Sequence, residues 1–336
     1  MAIQRFFLVL ITSLFAIATS GCGDSNQQSQ SLPTASQSSG AIKNPAENKP
    51  KRIALVLKTL TNPYFIEMEA GARDAAKDLG VDLVVKMASQ ETAVEQQIQL
   101  VEELIQTKVD ALVIAPSDSQ RLVPILKKAQ LAGILIINID NQLDAATVQS
   151  QQMSPVPFIS VDNLSSSYES AKFISDQIKT PGKAAIIEGI RTSENARMRT
   201  TGAERAFAEN RNIKLVAKET ANWKIDEAYQ VTRKIFTQHP DIQILFCAND
   251  MMALGAIKYL GETNKKVLIA SYDALADAKL AVKAGTLAVT VDQKAKKQGY
   301  EGIATAISGL KGEKLPAVML VGTALVTAQT LASAGN

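Results

Sequence analysis

The sequence is poor in the side chains that most often carry chemistry. Its 336 residues include one histidine, His239, and two cysteines, Cys22 and Cys247. A single histidine argues against a His-based metal site or catalytic triad, and His239 stands beside Pro240, in a turn. The chain has no Walker phosphate loop, no GxGxxG after its first strand, no G-x-S-x-G elbow and no metal-spaced cluster. The formal net charge is only +3, with Lys and Arg interspersed among Asp and Glu, and aromatics make up 5%. There is no basic stripe with interleaved aromatics, which argues against a nucleic-acid partner. No enzyme activity, cofactor or metal is therefore expected.

No hydrophobic run is long enough to span a bilayer comfortably. The longest near the N-terminus, Phe6 to Ala18, follows Arg5 and ends in ATSGC. That pattern is a secretory signal core, removed from the mature chain. Cys22 stands where a bacterial lipoprotein signal places its acylated cysteine, although Thr19 occupies a position where Leu, Val or Ile is usual. Residues 23 to 50 are Ser, Gln, Asn, Gly and Pro with little apolar content. Such a segment cannot bury enough surface to fold, and it reads as a tether between a lipid anchor and a soluble body. Cys247, in the apolar run IQILFCAND, reads as a buried core thiol.

What is abundant is alternation. RIALVL, VDLVVKM, DALVIAP and GILIINID are continuous apolar runs separated by stretches of helical periodicity. VPFISVD opens a second series, continued by KAAIIEG, IKLVAKE, IQILFCA, KVLIASY and LAVTVD. Runs without polar alternation mark parallel strands covered on both faces by helices, hence doubly wound α/β domains. At 336 residues two such domains are expected. Helices are expected over 63–79, 92–107, 119–132, 164–179, 198–210, 225–237, 251–262, 274–284 and 295–310.

Ligands of such sheets sit outside the carboxyl ends of the strands. The segments found there are KTLTNPYF at 58–65, APSDS, DNQ at 140–142, GIRTSENAR at 189–197, TANW at 220–223, AND at 248–250, YD at 272–273 and DQ at 292–293. Planar polar side chains with a few aromatics suit a sugar, whose neighbouring hydroxyls both donate and accept and whose C–H faces are apolar. The same residues have plainer readings. Asn62 and Asp273 fit helix N-caps, Phe65 and Trp223 fit core packing, and Asp250 fits an N-cap for helix 251–262.

The segments IALVLKTLTNPYFIEMEAGARDAAKDLG, VIAPSDS, RTTGAERAF, FCANDMMALGA and YDALADAKLAVKAGTLAVTVDQ resemble the ribose- and galactose-type periplasmic sugar-binding proteins, the solute receptors of ABC importers. The resemblance spans roughly residues 52 to 330. It implies a type I periplasmic binding protein fold, with two lobes joined by a three-stranded hinge and a monosaccharide, pentose or hexose, bound between them. The lobes implied are 51–154 with 294–322, and 155–293 with 323–336, behind a signal peptide at 1–21 and a lipid-anchored tether at 22–50. It also implies an ABC permease partner, a cell-envelope location and a monomer.

Carried over by position, Asn62, Tyr64, Phe65, Asp140, Arg197, Trp223, Asn249, Asp273 and Gln293 match ligand contacts of that family. Asn141 stands where ribose-type proteins have arginine. Lys58 stands where they have a small hydroxyl residue, and from sequence it faces the ligand or points out of the cleft. The formal charges of Lys58, Arg197, Asp140 and Asp273 cancel, which suits a neutral ligand. Related small ligands, polyols and autoinducer-type furanoses feeding a sensor kinase or chemoreceptor, fit the same frame.

Overall fold

The computed structural model describes residues 49–334. The segments expected to be a signal peptide and a tether, with Cys22, lie outside the described residues except for the last two tether residues. Two six-stranded sheets organise the rest. The first contains β1 (Arg52–Leu57), β2 (Asp82–Met87), β3 (Ala111–Ile114), β4 (Leu135–Ile139), β5 (Phe158–Ser160) and β11 (Val318–Leu320), in the order β11-β5-β4-β3-β1-β2. The second contains β6 (Gly182–Glu188), β7 (Ile213–Thr220), β8 (Ile242–Cys247), β9 (Leu268–Ala270), β10 (Val289–Asp292) and β12 (Ala324–Thr327), in the order β12-β10-β9-β8-β6-β7. All pairings are parallel except β10 with β12. Central strands β1, β3, β6 and β8 are buried on both faces along most of their length, whereas edge strands β2 and β7 are half-buried. That contrast is why the central strands read as unbroken apolar runs.

The expectation that VPFISVD opens the second series does not hold. β5 pairs with β4 and β11 and completes the first sheet. The chain changes lobe just after it, so the expected division between 154 and 155 cuts ahead of a first-lobe strand. The apolar stretch VMLVGTALVT is likewise split, with β11 in one sheet and β12 in the other. Three segments therefore connect the sheets: 161–162, 293–294 and 321–323.

Local signals account for the helix that opens the site. In α1 (Pro63–Leu79) the Asn62 side chain accepts from the Tyr64 amide at 3.1 Å, Pro63 stands at the first helical position, and Gly80 ends the helix at φ 67°. Helix α10 (Ala295–Leu310) returns from the second lobe and crosses α1 closely. A Cβ on Gly71 would lie 1.8 Å from the Lys296 carbonyl oxygen, and one on Gly299 would lie 1.9 Å from that of Met68, so both positions require glycine. Two helices absent from the sequence reading are α4 (Ala145–Ser150) and α11 (Ala328–Ala334). Among the described residues no helix is long and apolar enough to cross a membrane.

Candidate functional site

The carboxyl ends of the two sheets face one another across a narrow cavity lined by side chains of both lobes. One wall comes from the first lobe. Lys58, directly after β1, is 1% exposed and points inward, its Nζ 2.8 Å from Asp140 Oδ2. Asp140 follows β4 with φ 63°, and its carbonyl accepts from Ser160 Oγ at 2.8 Å. Asn62 both caps α1 and donates from Nδ2 to Glu91 Oε1 at 3.0 Å. Tyr64 and Phe65 meet edge to face, with ring centroids 5.0 Å apart, and both line the cavity. Phe65 thus fills the core-facing stripe of α1 and lines the cavity as well.

The opposite wall is built around Arg199 in α6 (Glu194–Ala208). Its guanidinium donates to Asn163 Oδ1 at 2.8 Å, to the Ala248 carbonyl at 2.9 Å and to Gln293 Oε1 at 3.2 Å, and it lies 3.5 Å from Asp273 Oδ1. It also stacks on Tyr272, 3.7 Å from the ring centroid, and faces Trp223. Trp223, at φ 68°, lays its ring against Gly189, where any Cβ would come within 2.1 Å of it. Asn249 is the N-cap of α8 (Asp250–Glu262), accepting from the Met252 amide at 2.9 Å, and also lines the cavity. Gln293 donates to Asp273 Oδ1 at 2.6 Å.

The two cations of the cavity are paired within the protein, Lys58 with Asp140 and Arg199 with Asp273, and the third acid, Glu91, accepts from Asn62. Burial raises the Glu91 carboxyl, while Lys58 and the Asn62 hydrogen bond pull it back. Burial also raises Asp273 well above the ordinary aspartate value, with Arg199 opposing. Tyr64 is raised by burial and then by Asp140, and Tyr272 is pushed up to about 12 by burial. Neither cation is left over to hold a phosphate or carboxylate. Several buried polar atoms of the lining find no hydrogen-bond partner in the protein: Tyr64 Oη, Asn195 Oδ1, Trp223 Nε1 and Asp140 Oδ2. The Lys58 ammonium is close enough to Asp140 Oδ2 for an ion pair but approaches off the hydrogen-bonding direction, so that oxygen still lacks a donor. Unpartnered donors and acceptors thus both line the cavity beside aromatic side chains.

Two expected contacts are not in the cavity. Arg197 is exposed and pairs with Glu194 on the surface. The helix begins at Glu194, so Asn195 and Arg199, four residues apart, share the inward face, and Arg197 falls on the opposite side. Arg199, which the sequence did not single out, takes the central place. Asn141 is fully buried but turns away from the cavity: Nδ2 donates to the Pro116 carbonyl at 3.0 Å and to Ser119 Oγ at 3.2 Å, and Oδ1 accepts the Asn195 amide of the other lobe at 3.2 Å. Ser119 Oγ accepts from the Glu194 amide at 3.0 Å, and Ser193 Oγ donates to the Ser117 carbonyl at 3.2 Å. These bonds join the lobes beside the cavity. Asp250 is not the N-cap, which is Asn249, and Asp273 caps no helix, because α9 (Ala276–Lys283) begins beyond it.

Glu91, Asn195 and Arg199 were missed. Glu91 lies in the loop after β2, where the strand-end rule itself directs attention, and Asn195 lies in a segment the same rule selected. Cys247 is a buried free thiol whose ionisation is pushed up by burial. Among the described residues no group of acids, histidines and cysteines is placed to hold a metal.

Two parallel-sheet lobes with a polar, aromatic-lined cavity at their strand ends define a solute-receptor architecture. The chain belongs to the family described as periplasmic binding protein domain, whose model matches residues 53–314. It is 38% identical over 266 residues to a D-ribose/D-allose-binding protein of Pseudomonas aeruginosa, covering 78% of this chain and 83% of the relative. It is 32% identical over 283 residues to a D-allose-binding periplasmic protein of Escherichia coli, covering 82% and 91%. A solved ABC-transporter periplasmic solute binding protein of Actinobacillus succinogenes with bound D-allose superposes with a TM-score of 0.80 at 39% identity, covering 85% of this chain and all of that one. These relatives are binding proteins, not enzymes, and the family works in the periplasm.

Proposed function

We propose that this chain is the substrate-binding lipoprotein of an ABC importer and captures a neutral aldose, an allose-type hexose ahead of ribose, by closure of its two lobes. The observation that carries the reading is the set of unpartnered buried donors and acceptors beside Tyr64, Phe65 and Trp223, in a cavity whose two cations are already paired within the protein. Hydroxyls can satisfy both kinds of atom at once, and a mismatched hydroxyl leaves a buried group unpaired at about 1–3 kcal/mol, which makes such a site stereoselective. The preference for a hexose over ribose rests on the inward Lys58 and on Asn141, which is turned away from the cavity.

The test is titration of the full chain with D-allose, D-ribose, myo-inositol and a sugar phosphate. D-allose is expected to bind most tightly and to raise Tm by mass action. Preference for the phosphate would overturn the neutral-ligand reading, and preference for myo-inositol would reassign the receptor to polyols.

The bonds joining Asn141 and Ser119 to the second lobe belong to the closed form in this reading. Asn141→Ala is expected to weaken sugar binding about tenfold, the worth of one or two lost buried hydrogen bonds. Because the side chain touches no ligand, the loss should fall on the release rate. Unchanged release kinetics would refute the closing role. The permease partner follows from the importer role, and lipid attachment is proposed at Cys22. Cys22→Ala is expected to move the protein from membrane to soluble fractions with its fold and sugar affinity intact. A variant that still sediments with membranes would contradict the anchor.

A further inference from the structure

Among the described residues, Asp250 is the one fully buried carboxylate near the cavity that does not line it. It sits in the first turn of α8 and reaches across to the next strand pair. Oδ1 accepts from Ser271 Oγ and, at 2.7 Å, from Thr290 Oγ1; Oδ2 accepts the Leu275 amide at 2.8 Å. Thr290 Oγ1 in turn accepts the Ala274 amide at 3.1 Å. These bonds enclose the loop between β9 and α9, whose middle residues have backbone angles that side chains other than glycine avoid: Asp273 at φ 121° and Ala274 at φ 54°. The strained loop projects Asp273 toward Arg199 and Gln293 at the cavity wall.

We infer that Asp250 is a positioning residue for ligand binding: it holds the 271–275 loop in its strained form so that Asp273 points into the cavity. Strained backbone persists only where its surroundings fix it, and here those surroundings converge on one carboxylate. Burial pushes that carboxyl up to about 6, and its three donors and Arg199 oppose the rise. Its place at the start of α8 favours the negative charge.

The inference rests on the sugar-receptor reading, and the experiment separates the two. Amide hydrogen exchange of the full chain without ligand should show faster exchange at Ala274 and Leu275 in Asp250→Ala than in wild type, with β6 and β8 unaffected. Titration with D-allose should show Asp250→Ala weakened about tenfold to a hundredfold, within the range of coupling between neighbouring residues, and less than about twofold further loss when Asp250→Ala is added to Asp273→Asn. Asp250→Asn, which keeps an acceptor for the Leu275 amide, should recover most of the exchange protection and affinity. Should Asp250→Ala fail to fold, Thr290→Val, which removes one donor to Asp250 and the acceptor of the Ala274 amide, replaces it in the same cycle. Unchanged exchange in the loop, or fully additive affinity losses with Asp273→Asn, would overturn the inference. If wild type binds neither D-allose nor D-ribose, the sugar reading fails, and the exchange data alone decide whether Asp250 holds the loop.

Discussion

Arg199→Ala is expected to reduce affinity for the best-binding sugar by more than about a hundredfold, whereas Arg197→Ala should bind within about twofold of wild type, the usual worth of an exposed ion pair. The asymmetry follows from where the two side chains stand. Arg197 has a surface partner, Glu194, and 43% of its side chain is exposed. Arg199 is buried, donates to Asn163, Ala248 and Gln293, and offsets the charge of Asp273. Its removal strips the Ala248 carbonyl and the Asp273 carboxylate of a buried partner at once, and breaking such a pair costs about 3–5 kcal/mol. Burial already raises Asp273, and Arg199 is the principal group opposing that rise. Arg199→Lys should restore little, because an ammonium cannot address the three acceptors from one plane or stack on Tyr272 in the same way. Titration calorimetry on the three variants decides the matter. Near wild-type binding by Arg199→Ala, or collapse of binding in Arg197→Ala, would show that the second wall of the site has been assigned to the wrong residue.

The difficulty with those two arginines shows what the sequence holds and where it stops. Strands buried on both faces announce themselves as apolar runs, so β1, β3, β6 and β8 are legible, and α1 is legible from its cap, its proline and its terminal glycine. The partner of a strand is not legible when it is set by topology. β5 follows the long connection after β4 yet pairs with it, and β11 reaches the same sheet from the far end of the chain. Only three residues pair in each of those strands, too few for a periodicity to declare which sheet they join. A helix start displaced from 198 to 194 is a small error in secondary structure. In a site it is decisive, since it determines which of Arg197 and Arg199 faces inward. Asn141 fails for another reason: its position is right and its rotamer is not, because the main chain of Pro116 and the amide of Asn195 offer it better partners than the cavity does.

Lys58→Met is expected to lower Tm by about 10 °C at neutral pH and to weaken sugar binding at least a hundredfold, from loss of a buried charge partner worth about 3–5 kcal/mol. Methionine preserves much of the volume of the lysine stem, so packing changes little. The ammonium is what goes, and two buried acids depend on it. Asp140 loses the ion partner 2.8 Å away, and Glu91 loses the strongest of the groups that counter its desolvation. The pH dependence of the defect has a definite sign. A buried glutamate whose folded value is raised binds its proton more tightly in the native state than in the unfolded chain, so ionising it subtracts stability as pH rises from its ordinary value of about 4.5 through the raised folded value. Without Lys58 that raised value moves higher still. The Tm deficit of Lys58→Met relative to wild type should therefore be largest near neutrality and shrink as pH falls toward about 4.5. Adding Asp140→Asn removes the other stranded charge and should recover a large part of the Tm without recovering affinity, because the carboxylate that faces the ligand is gone along with the ammonium. Thermal melts of both variants between neutral and acidic pH, with D-allose titrations beside them, test each step. A Lys58→Met protein that melts like wild type at neutral pH, or a deficit that widens on acidification, would mean that Lys58 does not hold the buried acids of this cavity.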